Sequence, residues 1–284
     1  MTIVAARPAS TVVLLRPSMQ RFDVCLVRRH DQVAFMGGAH VFPGGRVDES
    51  DYLSAPDPIC DGLETAIHQI PMLSRAQAIG HYVAAIRELF EEAGIFLARR
   101  GSQFVSFDDP IEAARLAEYR NQLVKRTTTM EEVVRREHLR LAFDGIVWFA
   151  HWLTPEIEIK RYDTRFFIAA VPPTQGLAES HGGITEAIWL DPATAITRCR
   201  REEIALPPPT WTTLRMLESF SSIENVYRWA AGRRVVLVQP KFKKGVDTAV
   251  LTLPGDESYP PIPGFETPKE TKFVLADGRW RPIS

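Results

Sequence analysis

Apolar positions near the start of the chain cluster into short β-rich runs, Thr11 to Leu15 and Phe22 to Val27, separated by the turn-like RPSMQR. Gly37-Gly38, a brief AHVF and Pro43-Gly44-Gly45 follow, which predicts a strand leading into a tight loop. From Asp51 to about Gly80 the text reads as irregular, broken by Pro56, Pro58, Gly62 and Pro71. The period then changes. Tyr82, Ala85, Leu89 and Ala93 fall on one flank, with Ile86, Phe90 and Leu97 beside them, predicting a helix over about 81–99. An Ala-, Glu-, Arg- and Leu-rich segment at about 110–141 predicts one or two amphipathic helices. Ile146 to Pro155 and Thr164 to Pro173 are aromatic and β-branched runs bounded by prolines, hence strands, and GITEAIWLDP supplies another. Asp191 and Pro192 suit the N-cap and first position of a helix, and a further helix starts at about Pro208. The tail returns to strand patterns in RRVVLVQP and TKFVLADGRW, where Asp277-Gly278 suits a hairpin turn. This order predicts an α/β fold, a mixed sheet sandwiched between helices.

Composition narrows the function classes. The chain has 284 residues, 45% of them hydrophobic and 24% charged, and a net charge of -1. That length buries a sizeable core without staples, and near-neutrality gives no general attraction to nucleic acid or acidic membranes. Three widely spaced cysteines, Cys25, Cys60 and Cys199, show no zinc-ligand spacing and read as reduced thiols. No apolar run approaches bilayer length, TVVLL reads as a strand rather than a leader, and RPIS carries no organelle address, so the expectation is cytoplasmic.

The candidate chemistry lies inside the helix, in RELFEEAG. Glu88 and Glu92 are four apart and Glu88 and Glu91 three apart, so all three share a face and converge. Their repulsion calls for a cation, and an oxygen-only donor set suits Mg²⁺ or Mn²⁺. Arg87 is placed to orient one glutamate through a bidentate contact. The Pro-Gly-Gly loop suits backbone approach to phosphate, and Gly94 ends or bends the helix. Read alone, such a segment is also that of an ordinary solvated helix face.

These residues resemble the Nudix hydrolase signature. Arg87, Glu88, Leu89, Phe90, Glu91, Glu92, Ala93, Gly94 and Ile95 match its second half, and Gly45 in FPGGRVDESD matches its start. Asp51 stands where the family usually has glutamate. Between Asp51 and Arg87 lie 35 residues, 28 more than the seven of the pattern. A split box is similar to the subgroup that includes animal peroxisomal coenzyme A diphosphatases, as are HWLTPEIEIKRYDTRFFIAAVPP, LPPPTWTTLRML and LPGDESYPP.

The resemblance implies a Nudix-type α/β/α sandwich, one domain over 8–284. It would carry a box insertion at about 52–80, a helical insertion at about 110–141 and a C-terminal extension at about 205–284. It implies metal-dependent hydrolysis of a diphosphate bond in a nucleoside diphosphate linked to another moiety, with coenzyme A or acyl-coenzyme A one candidate. Other nucleotides (a sugar nucleotide, a dinucleotide or ADP-ribose) and a non-catalytic ligand-binding module stay open.

On this reading Arg87, Glu88 and Glu91 are catalytic. Glu88, Glu91 and Glu92 bind Mg²⁺ or Mn²⁺, and Arg28, Gly44 and Gly45 bind substrate. Asp51, Glu179 and Glu186 are additional candidate acids. Ala34 replaces the arginine of the coenzyme A signature found upstream of the box in many such enzymes. The expected partner is a small-molecule nucleotide diphosphate, with no nucleic acid and no membrane; a homodimer is compatible.

Overall fold

The computed structural model describes residues 3–19, 21–32, 37–178, 184–244 and 248–283. Four strands come first: β1 (Arg7–Pro17), β2 (Phe22–Arg29), β3 (His40–Val41) and β4 (Gly44–Arg46). β1 pairs antiparallel with β2 only through Leu15–Pro17; its earlier residues Ala9–Thr11 pair with β4, while the far end of β2 pairs with β3. The sheet therefore forks, and the Phe42-Pro43 corner carries Gly44 and Gly45 across the gap.

The box insertion is more structured than the sequence suggests. Short 3₁₀ turns at Glu49–Asp51 and Asp57–Ile59 precede β5 (Cys60–Asp61) and α1 (Leu63–Gln69). The long helix α2 spans Arg75–Ala93, earlier at both ends than the predicted 81–99. Ser74 caps it and Gln77 reaches back to the cap, a capping box embedded in a proline-broken stretch. Gly94, at φ 75°, stops the helix in the left-handed region, and the apolar Ile95–Leu97 is buried beyond it as extended chain.

β6 (Ala98–Arg100), β7 (Gln103–Phe104), α3 (Pro110–Val124), α4 (Met130–Arg136) and β8 (Arg140–Ala142) follow. The 110–141 segment thus holds two helices and most of a short strand. Arg120 of α3 donates to the carbonyls of Phe90 (2.9 Å) and Glu91 (2.8 Å), satisfying the last turn of α2 and tying the insertion to it.

β9 (Ile146–Leu153), β10 (Tyr162–Ala170) and β11 (Ile184–Leu190) extend the main sheet in the order β11-β2-β1-β10-β9. β1 and β10 run parallel, the other pairs in this order antiparallel. α5 (Pro192–Arg200) starts as predicted, with Asp191 accepting from Ala193 and Thr194 amides; α6 (Pro208–Leu217) and α7 (Ile223–Gly232) come next. RRVVLVQP yields only β12 (Leu237–Val238), parallel to β9. A separate antiparallel sheet closes the chain: β13 (Lys241–Lys244), β14 (Ala249–Thr252), β15 (Lys272–Ala276) and β16 (Arg279–Ile283). Asp277 and Gly278, at φ 50° and 73°, make its last hairpin turn.

Strand alternation sends the two sheet faces into two cores. Val12, Leu14, Cys25 and Val27 pack with Tyr82, Ile86, Leu89 and Phe90 of α2. Val13, Leu15, Val24 and Leu26 pack with Trp211, Leu214 and Val226 of α6 and α7. The result is the expected mixed-sheet sandwich between helices. Among the described residues no helix is long and apolar enough to cross a membrane.

Candidate active site

α2 lies over β1 and β4, and its last two turns bring Arg87, Glu88, Glu91 and Glu92 to the fork in the sheet. Arg87 is almost wholly buried. Its Nε and Nη2 donate to the two oxygens of Asp51 at 2.8 and 2.9 Å, and Nη2 also donates to the Arg46 carbonyl at 2.8 Å. Nη1 reaches Glu88 Oε1 at 2.8 Å and Glu91 Oε1 at 3.2 Å.

Asp51 is fully buried and accepts the Asp48 amide as well. Its shorter side chain suffices because the 3₁₀ turn Glu49–Asp51 packs against α2. The insertion loops away after that turn. Asp51 therefore anchors Arg87 with both oxygens.

Glu92 turns the other way and accepts the Gly44 amide at 2.9 Å. That N–H is thus committed to a carboxylate. The Gly45 position has no room for a side chain: a Cβ there would sit 2.3 Å from Glu88 Oε1, and one on Gly44 would sit 2.4 Å from the Ser10 carbonyl oxygen. The Gly-Gly pair lets the strand pass this close to the acids.

The three glutamates share a region but not a single point. Among the described residues, no three acids stand in a metal-holding arrangement. Glu88 and Glu91 lean on Arg87, while Glu92 leans on the loop.

Their electrostatics are those of crowded, desolvated acids. Glu88 is raised by burial and by Asp51 and Asp48, against the pull of Arg87. Burial, then Glu88, pushes Glu91 up to about 7 and Glu92 up to about 8; Arg87 opposes this at Glu91, and the Gly44 amide and Arg29 oppose it at Glu92. Burial works against the charge on Arg87, but Asp51, Glu88 and Glu91 hold it on. One buried guanidinium thus faces Asp51, Glu88 and Glu91 closely and Asp48 at 3.9 Å, a surplus of negative charge. An oxygen-only donor set with such a surplus fits a hard divalent cation.

Two cavities meet at Glu88 and Glu92. One, of about 370 Å³, is floored by Thr11, Gly44 and Gly45 and walled by Phe42, Trp152, Tyr162 and Phe166, Pro207 to Thr210, and Leu251 and Trp280 of the C-terminal sheet. The other, of about 590 Å³, is lined by Asp48, Glu49, Ser50, Arg87 and Glu91 on one side and Leu123, Val124, Arg126, Thr128 and Thr129 on the other.

Other predicted residues lie elsewhere. Arg28 is off both cavities, paired with Asp31 at 2.6 Å; strand alternation puts its neighbour Arg29 on the wall of the first. Glu186 is exposed on β11, 3.9 Å from His40 Nε2, and lines neither cavity. Glu179 and Ala34 lie outside the described residues. Trp148 and Phe149 are core residues, whereas Trp152 both packs in the core and lines the first cavity. Arg126 and Trp280 were not singled out as site residues, whereas Arg29 was readable in advance as a basic residue in parity with Cys25 and Val27.

Known proteins agree with this architecture. The family model described as the NUDT19 Nudix domain matches residues 73–217. The acyl-coenzyme A diphosphatase NUDT19 of Gallus gallus is 28% identical over 289 residues, covering 88% of this chain and 76% of its own. That of Homo sapiens is 28% identical over 305 residues, covering 93% and 80%. The crystal structure of a NUDIX hydrolase from Alicyclobacillus acidocaldarius superposes with a TM-score of 0.61 at 24% identity, covering 81% of this chain and 100% of that one, and shares the fold. The chain belongs to the Nudix hydrolase family, with a Nudix domain of the NUDT19 kind.

Proposed function

We propose that the protein hydrolyses the diphosphate bond of coenzyme A or acyl-coenzyme A in a divalent-metal-dependent reaction. The observation that carries this is the buried surplus of carboxylates on α2 at the junction of an apolar cavity and a polar one. A substrate with a diphosphate between two dissimilar halves matches that arrangement. Relatives named acyl-coenzyme A diphosphatase, aligned over most of the chain, support the substrate class.

Glu88, Glu91 and Glu92 would hold the cation. Bound Mg²⁺ or Mn²⁺ supplies neutralisation of diphosphate oxygens and a more acidic attacking water. Arg87, clamped by Asp51, keeps Glu88 and Glu91 oriented toward the junction. Glu91, 3.2 Å from Arg87 Nη1 on the wall of the polar cavity, would accept the proton of the attacking water. Gly44 and Gly45 hold the strand close against Glu92 and Glu88, and the aromatic cavity takes the apolar part of the substrate while excluding water. Residues 8–284 act as one unit on this reading: the 110–141 insertion walls the polar cavity, the 205–284 extension walls the apolar one, and 52–80 loops out behind Asp51.

The test is a panel of diphosphate-linked nucleotides incubated with Mg²⁺ or Mn²⁺, with product release followed for wild type and Glu92→Gln. Coenzyme A or an acyl derivative should be cleaved, and the variant should be inactive. Turnover of sugar nucleotides alone would overturn the substrate assignment. No turnover of any compound, with Glu92→Gln equal to wild type, would overturn the enzymatic reading.

A further inference from the structure

The C-terminal extension meets the main sheet around a smaller cavity, of about 20 Å³. Phe149 and Trp152 of β9, Thr212 and Met216 of α6, and Arg233 just past α7 line it. It has room for one water-sized occupant and none for a phosphate, a carboxylate or a nucleotide. Thr212 Oγ1 and Arg233 Nε, on two of these lining residues, are buried and have no hydrogen-bond partner among the described residues. Thr212 is 1% exposed and sits inside α6 without bonding back to the preceding turn. Burial strips the water that such donors otherwise bind, so both groups call for an occupant.

Arg233 supplies the charge. Its guanidinium lies over the Trp229 ring, 4.3 Å from the centroid, and Nη1 is 3.8 Å from the Met216 sulfur. The acid beside it, Glu266, stands 3.8 Å away and is 59% exposed, too far for a hydrogen bond and largely in solvent. No carboxylate lines the cavity among the described residues, and His151, also on its wall, turns Nε2 to Asp163. The cavity thus offers a poorly compensated cation, a fixed N–H and a hydroxyl that can donate.

We propose that this cavity is a chloride site, in which the ion accepts from Arg233 Nε and Thr212 Oγ1 and ties α6 and the end of α7 to β9. Water fits the same space but brings no charge to offset Arg233. Trp152 lines both this cavity and the first, so the ion also braces a wall shared with the larger one. The site is independent of the diphosphatase reading.

Urea unfolding is followed as potassium chloride replaces potassium gluconate at constant ionic strength; gluconate is too large for the cavity. An ion that binds only the folded chain stabilises it with rising concentration, so the wild-type midpoint should climb with chloride. Thr212→Val keeps the shape without the hydroxyl, and Arg233→Lys keeps the charge without Nε. Each should weaken the chloride affinity read from that climb by roughly 10-fold, the range of one hydrogen bond to a charged group. The readout is the chloride dependence, so a less stable variant still decides. In crystals grown with bromide, the anomalous signal should peak between Arg233 Nε and Thr212 Oγ1. A light atom there with no bromide signal makes the occupant water and overturns the proposal. So does a chloride dependence equal in wild type and both variants, which marks an effect elsewhere on the chain.

Discussion

The two cavities that meet at Glu88 and Glu92 are built from different materials. The first takes its walls from aromatic and proline residues of β9, β10, the start of α6 and the C-terminal sheet. The second takes its walls from acids and hydroxyls of the box loop and from the α3–α4 connection. Apolar walls recognise by area and shape, so they discriminate between groups of different size. The second cavity works by charge in a wetter setting: Arg126 is 67% exposed, so its pairing with Asp48 is screened. On the proposed function, the shared wall would handle the bond common to all candidate substrates, the apolar cavity would select among them, and the polar cavity would add general affinity.

The shared wall should show the largest effect. Glu88→Gln removes a negative charge while keeping the shape, and it should lower kcat by roughly 10³-fold for every substrate, the scale of losing a main electrostatic contact to the reacting group. Steady-state rates across the panel check this; a loss confined to one substrate would mean that Glu88 belongs to one cavity only.

Next comes the anchor behind that wall. Asp51→Asn leaves Arg87 buried against a neutral amide, and losing one member of a buried pair costs about 3–5 kcal/mol. Glu88 and Glu91 still touch Arg87, so the lower end applies. Denaturant unfolding measures it. An unchanged midpoint would show that Arg87 does not depend on Asp51.

The apolar side should respond selectively. Trp280→Ala opens the C-terminal wall and should raise KM by roughly 10-fold for an acyl-coenzyme A, the scale of a lost aromatic contact, with little change for the compact ADP-ribose. Trp280→Phe should recover most of it. Equal KM changes for both compounds would remove the selective role given to this wall.

How much of this was legible before the fold was known follows from distance along the chain. RELFEEAG stood out because charge on an otherwise apolar helix is anomalous, and the mixed sheet between helices followed from the order of strand-like and helical runs. The start of α2 was hidden because Ser74 and Gln77 form their capping box in a stretch that Pro71 made look irregular. The convergence expected of Glu88, Glu91 and Glu92 was a backbone inference. Which partner each carboxylate takes depends on Arg87 and on the Gly44 amide, 48 residues from Glu92.

The reach of Asp51 depends on a one-turn helix, and the cavity walls come from positions as remote as Arg126 and Trp280. No local period encodes such meetings. The Arg28 and Arg29 pair is different in kind: counting parity from Cys25 points to Arg29, the one of the two that lines the cavity.

The smallest expected effect lies on the polar side, where charge and backbone can be separated. Arg126 is a non-glycine residue at φ 58°, a conformation that costs an L-residue roughly 1–2 kcal/mol. Arg126→Ala and Arg126→Gly both delete the guanidinium, so both should raise KM about 2- to 5-fold for all substrates alike, and less at high salt, because an exposed charge contributes little and is screened. Only the glycine variant relieves the backbone, so it should unfold at a higher denaturant concentration than the alanine variant. If the two variants differ in KM as they differ in stability, the loop's shape rather than its charge serves the polar cavity, and the contrast between a wall that selects by shape and one that attracts by charge would fail on that side.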